Sequence, residues 1–434
     1  VARNVSPGFV RAARSTASLC SDAVDAITCA RGLPGQVATL ILPADVSWGE
    51  GGTPCPPLAA PAPPVADDAC IAAIVDAIRS GEPCAFLLGG QALLEPALLD
   101  AARIAAHSAV KLFCEVFPTR LPRGAGLPAI ERIAYLAELA SVQLRDTRHL
   151  ILVDAKSPVS FFAYPGKKSE LVPEGCHVHT LATPAQDAAA SLVKLVAALG
   201  AGNTPAPLQA PQRPTTPRGK LTAAKVCKAV GALLPDNAII IDEAITSGLL
   251  LGVMTQGAPR HDLITLTGGA IGQGLPNAVG AAIACPDRPV IALIGDGSAM
   301  YTIQALWTLA REQLNVTAII FNNASYSVLN VELDRVGAGQ AGTKARAQLD
   351  LHGPVLDFQQ LAQGMGVLAV RTDTAAGFNK AMSNALHTPG PHLIEAMVPE
   401  SLSGAKRRLL PWMLRAMPRL PPAVALALKR KIAP

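Results

Sequence analysis

Half of the 434 residues are hydrophobic and 16% are charged, a composition that buries large cores and excludes a generally disordered chain. The formal charge of +5 is local. Residues 401–434 hold eight basic residues (Lys406, Arg407, Arg408, Arg415, Arg419, Lys429, Arg430, Lys431) and no acid, leaving 29 basic against 32 acidic residues elsewhere, which argues against a general nucleic-acid surface.

In chain order, the apolar pattern predicts a helix over 15–31 and a buried strand over 37–42. One helix and one strand cannot close a core, so residues 1–50 read as the C-terminal remnant of a domain. The Pro-rich stretch 53–64 reads as a linker. Residues 65–202 then alternate: helix 68–80, strand 84–89, helix 92–108, strand 110–116, helix 129–145 and strand 149–155. A second Pro-rich linker, 203–219, precedes residues 220–400, with strands at 237–244, 263–268, 289–297, 316–323 and 392–398 and helices near 300–314 and 357–365. Strands that are apolar throughout, separated by helices, imply parallel sheets covered on both faces. The predicted fold is α/β, with two open parallel-sheet domains, the first Rossmann-like, followed by a basic Pro-containing tail at 401–434.

No apolar run reaches the roughly 18 residues of a membrane span, and the N-terminus has no signal-peptide core. Nine cysteines without a C-x-x-C pair fit reduced thiols in the cytoplasm.

The informative stretch is 290–329. A buried strand ends in Gly295-Asp296-Gly297, and a second ends in Asn322-Asn323. In a βαβ crossover both strand ends meet at one sheet edge, so Asp296 and Asn323, 27 residues apart, converge. A carboxylate, an amide oxygen and a nearby backbone carbonyl suit Mg²⁺, while the glycines and the helix start after Ser298 suit a diphosphate. The other reading of these residues is a tight turn and a strand-end cap.

GDG followed 25 residues later by NN resembles the thiamine-diphosphate (ThDP) motif. LTGGAIGQGLPNAVGAAIA (266–284), GDGSAMYTIQALWT and LDLHGPVLDFQQLAQGMGV are similar to the acetolactate synthase and benzoylformate decarboxylase group, and the resemblance spans nearly the whole chain. It implies Asp296 and Asn323 as side-chain Mg²⁺ ligands and Ser325 as a carbonyl ligand, with Gly295, Gly297 and Ser298 at the diphosphate. It further implies that Gly269 offers its carbonyl to the 4′-amino group, that Ile271 bends ThDP, and that Thr246 in the segment 242–247 closes over the diphosphate. The implied reaction is 2-keto acid decarboxylation, with or without carboligation, in a homodimer or tetramer.

The family's activating Glu belongs to a pyrimidine-binding domain of which residues 1–50 match only the end, so no catalytic residue is assigned and weak or no turnover is expected of this chain alone. The alternative is a non-catalytic ThDP-binding chain that needs a separate pyrimidine-binding domain. Phe161, Phe162 and Tyr164 stand where benzoylformate decarboxylase has a histidine, either as an aryl-binding wall or as packing within the middle domain. The Rossmann-like alternation leaves room for FAD, without a motif that supports it. GAGQAG (337–342) reads as a glycine loop, and Cys176-His177-x-His179 as structural rather than metal-binding. The tail reads as packed on its own protein, with a membrane contact as the less favoured alternative.

Overall fold

A computed structural model describes the chain except for residues 165–167, 340, 401–403 and 433–434. Short strands β1 (Phe9–Ala12) and β2 (Ala38–Ile41) pair in parallel, joined by the helix Thr16–Arg31, whose N-terminus Ser15 caps by accepting the Ser18 N–H at 3.2 Å. This unit leaves Ile27, Val37 and Ile41 about half exposed and Trp48 86% exposed. None of the four buried apolar clusters includes a residue before Ala66.

The strands that follow are β3 (Cys84–Leu88), β4 (Lys111–Cys114), β5 (Leu121–Arg123), β6 (Glu131–Arg132), β7 (His149–Val153) and β8 (His177–Ala182). All but β5 form a parallel sheet in the order β6-β4-β3-β7-β8. The last six strands are β9 (Ala238–Glu243), β10 (His261–Thr265), β11 (Val290–Gly295), β12 (Val316–Asn322), β13 (Leu368–Thr372) and β14 (His392–Met397). They form a second parallel sheet, β13-β14-β12-β11-β9-β10, to which β5 adds antiparallel on β10. The two sheets therefore share one covalent segment, and Pro122 is tolerated in β5 because that strand is an edge.

The run VIALIG forms β11 because every side chain in it has a core to enter. Ile291 and Leu293 join one buried cluster, while Val290, Ala292 and Ile294 join another on the opposite face. Fully buried side chains of this size contribute roughly 1.5–3 kcal/mol each. Chain order reverses at β9, with β10 on one side and β11 on the other, which opens the crevice at the carboxyl edge where ligands bind in such sheets.

Two predicted helices are shorter than expected. The helix expected over 129–145 begins only at Ala137. The buried Gln143 side chain accepts the Ala134 N–H at 2.8 Å and donates to Glu131 at 2.8 Å and to the Arg132 carbonyl at 2.9 Å, holding 131–134 out of the helix, with Glu131–Arg132 as β6. The helix expected over 300–314 is one turn at Asp296–Ala299 and a separate helix Ala305–Arg311, because Thr302 between them donates to the Gly272 carbonyl at 2.6 Å. β13 was missed because its residues are mostly exposed or half-exposed, and β1 because four residues carry little periodicity.

In the tail, prolines break the chain into helices Gly404–Ala416 and Pro422–Ile432, yet Pro411 lies inside the first. Leu410, Leu414, Met417 and Ala425 are buried against Leu139, Val142 and Val331. Arg407 pairs with Asp334 at 3.0 Å and Lys429 with Glu131 at 2.7 Å. Much of the tail is thus consumed by its own chain, while Trp412 and Leu409 stay exposed. No described helix is long and apolar enough to cross a membrane.

Candidate active site

Asp296 lies just beyond β11, buried, and its carboxylate is satisfied by three backbone amides. Oδ1 accepts from Gly297 N–H at 2.8 Å, and Oδ2 from Asn323 N–H at 2.9 Å and Ala324 N–H at 2.6 Å. The convergence of Asp296 with the end of β12 is therefore direct contact. Burial pushes the Asp296 carboxyl upward, and the three amides pull against it.

The two asparagines divide their work. Asn322 is buried and donates to Glu395 at 2.7 Å, whereas the Asn323 Oδ1 accepts the Ser325 N–H at 2.9 Å and folds the loop that presents Ser325. Ala324 between them adopts φ 52°, strained for a non-glycine residue. Ile245, in the turn Ile245–Gly248 that contains Thr246, is held at φ 51°, so a left-handed non-glycine residue lies both in the Asn323–Ser325 loop and in the turn beside Thr246.

The loop after β10 carries Gly269 and the half-buried Ile271. Gly268 and Gly269 both take φ 68° in the turn Thr267–Gly269. Sequence reasoning missed what fixes this loop. Glu243, at the end of β9 and 2% exposed, accepts the Gly272 N–H with one carboxylate oxygen and the Gly274 N–H at 2.5 Å with the other. Burial pushes its carboxyl upward. The available signal was the pair of acids, Asp242 and Glu243, that ends the apolar run AIII.

The aromatic segment reaches the same place. A Cβ on Gly269 would overlap the Phe161 ring, 2.3 Å from its nearest atom, so Gly269 is the seat of that ring. Phe161 also meets Phe117 edge-on at 5.8 Å and lies 5.2 Å from Tyr135. Tyr164, beyond it, accepts from Arg335 at 2.7 Å and lies under its guanidinium. Arg335 also binds Glu332 and Glu138, and so clamps 161–164 onto the helix Ser327–Arg335 that follows the Asn323 loop. Gly297 similarly seats Tyr326, whose ring would be 2.2 Å from an added Cβ. Ser298 is buried beside Asp296 and Gly295 is half-buried.

Among the described residues no group of three His, Cys, Asp or Glu could hold a metal. A cation at Asp296 would depend on one carboxylate and neutral oxygens. His149, His177 and His179 gather on one face instead, where His149 bridges His179 at 3.0 Å and Glu82 at 2.9 Å. GAGQAG lies between helices and includes Gln340, outside the described residues.

The profile of the thiamine pyrophosphate enzyme C-terminal TPP-binding domain matches residues 250–396, which contain the Gly269 loop, Asp296 and Asn323. A Mycobacterium tuberculosis protein named as an acetolactate synthase large subunit, IlvX, is 50% identical over 400 residues, covering 90% of this chain and 75% of that protein. The chain belongs to the thiamine pyrophosphate enzyme family. Benzoylformate decarboxylase of Pseudomonas aeruginosa is 33% identical to this thiamine pyrophosphate enzyme over 211 residues, 48% of the chain and 39% of the decarboxylase. The fold is shared with the 4-hydroxybenzoylformate decarboxylase of Rhodococcus jostii RHA1, at TM-score 0.74 and 24% identity over 91% of this chain and 77% of that one. Each of these relatives is named as an enzyme, and none favours the alternative of a non-catalytic chain.

Proposed function

We propose that this protein catalyses ThDP- and Mg²⁺-dependent decarboxylation of a hydrophobic or aryl 2-keto acid, with or without carboligation. The observation that carries the reading is the meeting of Asp296 with the Asn323–Ser325 loop at the carboxyl edge of β11 and β12, with the Gly269 loop seated under Phe161 alongside. The oxygen donor set fits Mg²⁺, with Asp296, the Asn323 amide and the Ser325 carbonyl as ligands and diphosphate and water completing the shell. Gly295, Gly297, Ser298 and Thr246 would face the diphosphate, Gly269 the aminopyrimidine and Ile271 the bend. When bound, ThDP supplies the nucleophilic carbon and the electron sink for loss of CO₂.

The chain's own residues orient and enclose. Glu243 holds the Gly269–Ile271 loop, and the Arg335 clamp holds the aromatic wall over it. That wall supports an aryl substrate, as the seat of Phe161 on Gly269 places it beside the proposed cofactor contacts rather than within the middle sheet alone. Truncating Phe161 to Ala is expected to raise KM for benzoylformate about tenfold while changing that for pyruvate little. Equal effects on both substrates would remove the wall from the substrate site.

The other crevice offers no feature that supports FAD. At the ends of β3 and β7, Asp154 accepts the Gln91 N–H at 2.7 Å, and a Cβ on Gly90 would overlap its carboxyl. Glu115 beside it is raised to about 7 by burial and by Asp154. Two acids occupy the position where a pyrophosphate needs donors.

A cytoplasmic homodimer or tetramer is the setting we propose, in keeping with nine free cysteines. Calorimetry with ThDP, with and without Mg²⁺, followed by CO₂ release from benzoylformate and pyruvate, tests the reading. Mg²⁺-dependent binding is expected, and its absence would overturn the proposal. Robust turnover by this chain would also overturn the sequence expectation of weak activity.

A further inference from the structure

We propose that the groove between the two large sheets binds a small organic anion, an oxyanion head on an apolar body, through Arg123 and Arg132. The groove, about 1050 Å³, runs between Ala102, Ala106 and Leu112 on one side and Leu249, Leu251 and Gly252 on the other. That lining is largely apolar, and its volume is in the range of small-molecule sites.

Both guanidiniums line this groove, and among the described residues neither meets a carboxylate within 4.0 Å. Arg123 donates through Nη2 to the Gly252 carbonyl at 2.7 Å, and its Nε, shielded from solvent, has no hydrogen-bond partner among the described residues. Arg132 makes no side-chain hydrogen bond or ion pair among the described residues. The contrast with other arginines is plain: Arg335, Arg371, Arg407 and Arg120 each meet a carboxylate at 3.0 Å or less. Burial and the nearby Arg132 charge together press Arg123 down to about 10, the cost of holding two cations together in a half-enclosed space.

The acids of the groove do not close the account. Glu131 is engaged by Lys429 at 2.7 Å and Gln143 at 2.8 Å. Asp242 forms no ion pair within 4.0 Å among the described residues and accepts the Ala244 N–H at 3.2 Å; burial pushes its carboxyl upward, and the more distant charges of Arg132 and Arg123 pull against that. Arg430 adds a further cation at the rim. Two unpaired guanidiniums with a free buried N–H form the donor array that binds carboxylate or phosphate in a fork. The groove is separate from the Asp296 site and does not depend on which reaction occurs there. It touches that site through one segment, since Asp242 and Ile245 in its wall flank Glu243.

The test uses the full chain saturated with ThDP and Mg²⁺, titrated calorimetrically with hexanoate, hexyl phosphate and inorganic phosphate. Saturable binding of hexanoate or hexyl phosphate is expected, tighter than inorganic phosphate, and the better of the two identifies the head group. Arg132→Gln should weaken it roughly tenfold to a hundredfold. Without ligand this variant should melt at the same temperature as the parent or higher, because a repulsion is relieved, whereas a structural role for Arg132 would lower the melting point. No saturation by about 10 mM, or equal affinity in Arg132→Gln, would overturn the proposal.

Discussion

Replacing Asp296 by Asn is expected to lower ThDP affinity at saturating Mg²⁺ by about a hundredfold. Two effects act together. The cation loses the only charged side-chain ligand proposed for it, and the carboxamide brings an NH₂ group to a position where three backbone amides already point. At least one of the Gly297, Asn323 and Ala324 N–H groups then faces a donor, and a buried group left unpaired costs about 1–3 kcal/mol. The loop carrying Asn323 and Ser325 should loosen, so the Mg²⁺ midpoint should rise together with the ThDP constant. Calorimetric titration of ThDP at several Mg²⁺ concentrations measures both. Affinity within about a factor of two of the parent protein would place the metal elsewhere.

The second large effect is expected at Glu243. In Glu243→Gln only one side-chain oxygen remains for two amides, so Gly272 or Gly274 loses its acceptor. The expected cost is about 1–3 kcal/mol of stability and roughly a tenfold weaker ThDP constant. The Mg²⁺ midpoint should stay unchanged, because Glu243 holds Gly272 and Gly274, just after Gly269 and Ile271, and not the Asn323 loop. Thermal melts with and without cofactor, set beside the Mg²⁺ titration, separate these effects. A shifted midpoint with an unaltered melt would show that Glu243 acts on the metal instead.

These two residues also show what could be read from the sequence. The pairing of Asp296 with the Asn323 loop was legible because a buried βαβ crossover has one geometry, and 27 residues of separation then become one sheet edge. Glu243 was not singled out, because its importance lies in two amides 29 and 31 residues downstream, and nothing local marks an acid as their acceptor. Phe161 stood open between two roles, since an aromatic residue packs as readily in a core as over a neighbouring glycine. The shortened helices had a similar cause: Gln143 and Thr302 each divert backbone groups that periodicity alone assigns to a helix.

The pair β1–β2 leads to a thermodynamic consequence. It is two strands, the helix Thr16–Arg31 and the short helices Ala2–Val5 and Ala44–Trp48, with exposed apolar side chains and no residue in any of the buried clusters that unite the rest. Such a unit is marginal alone and opens at a free energy set by its own few contacts. Unfolding of this protein is therefore expected to be more than one cooperative event, with the first fifty residues melting ahead of the two large sheets. A ligand at the edge of β11 and β12 stabilises only the later transition, so cofactor binding widens the interval between the two melts.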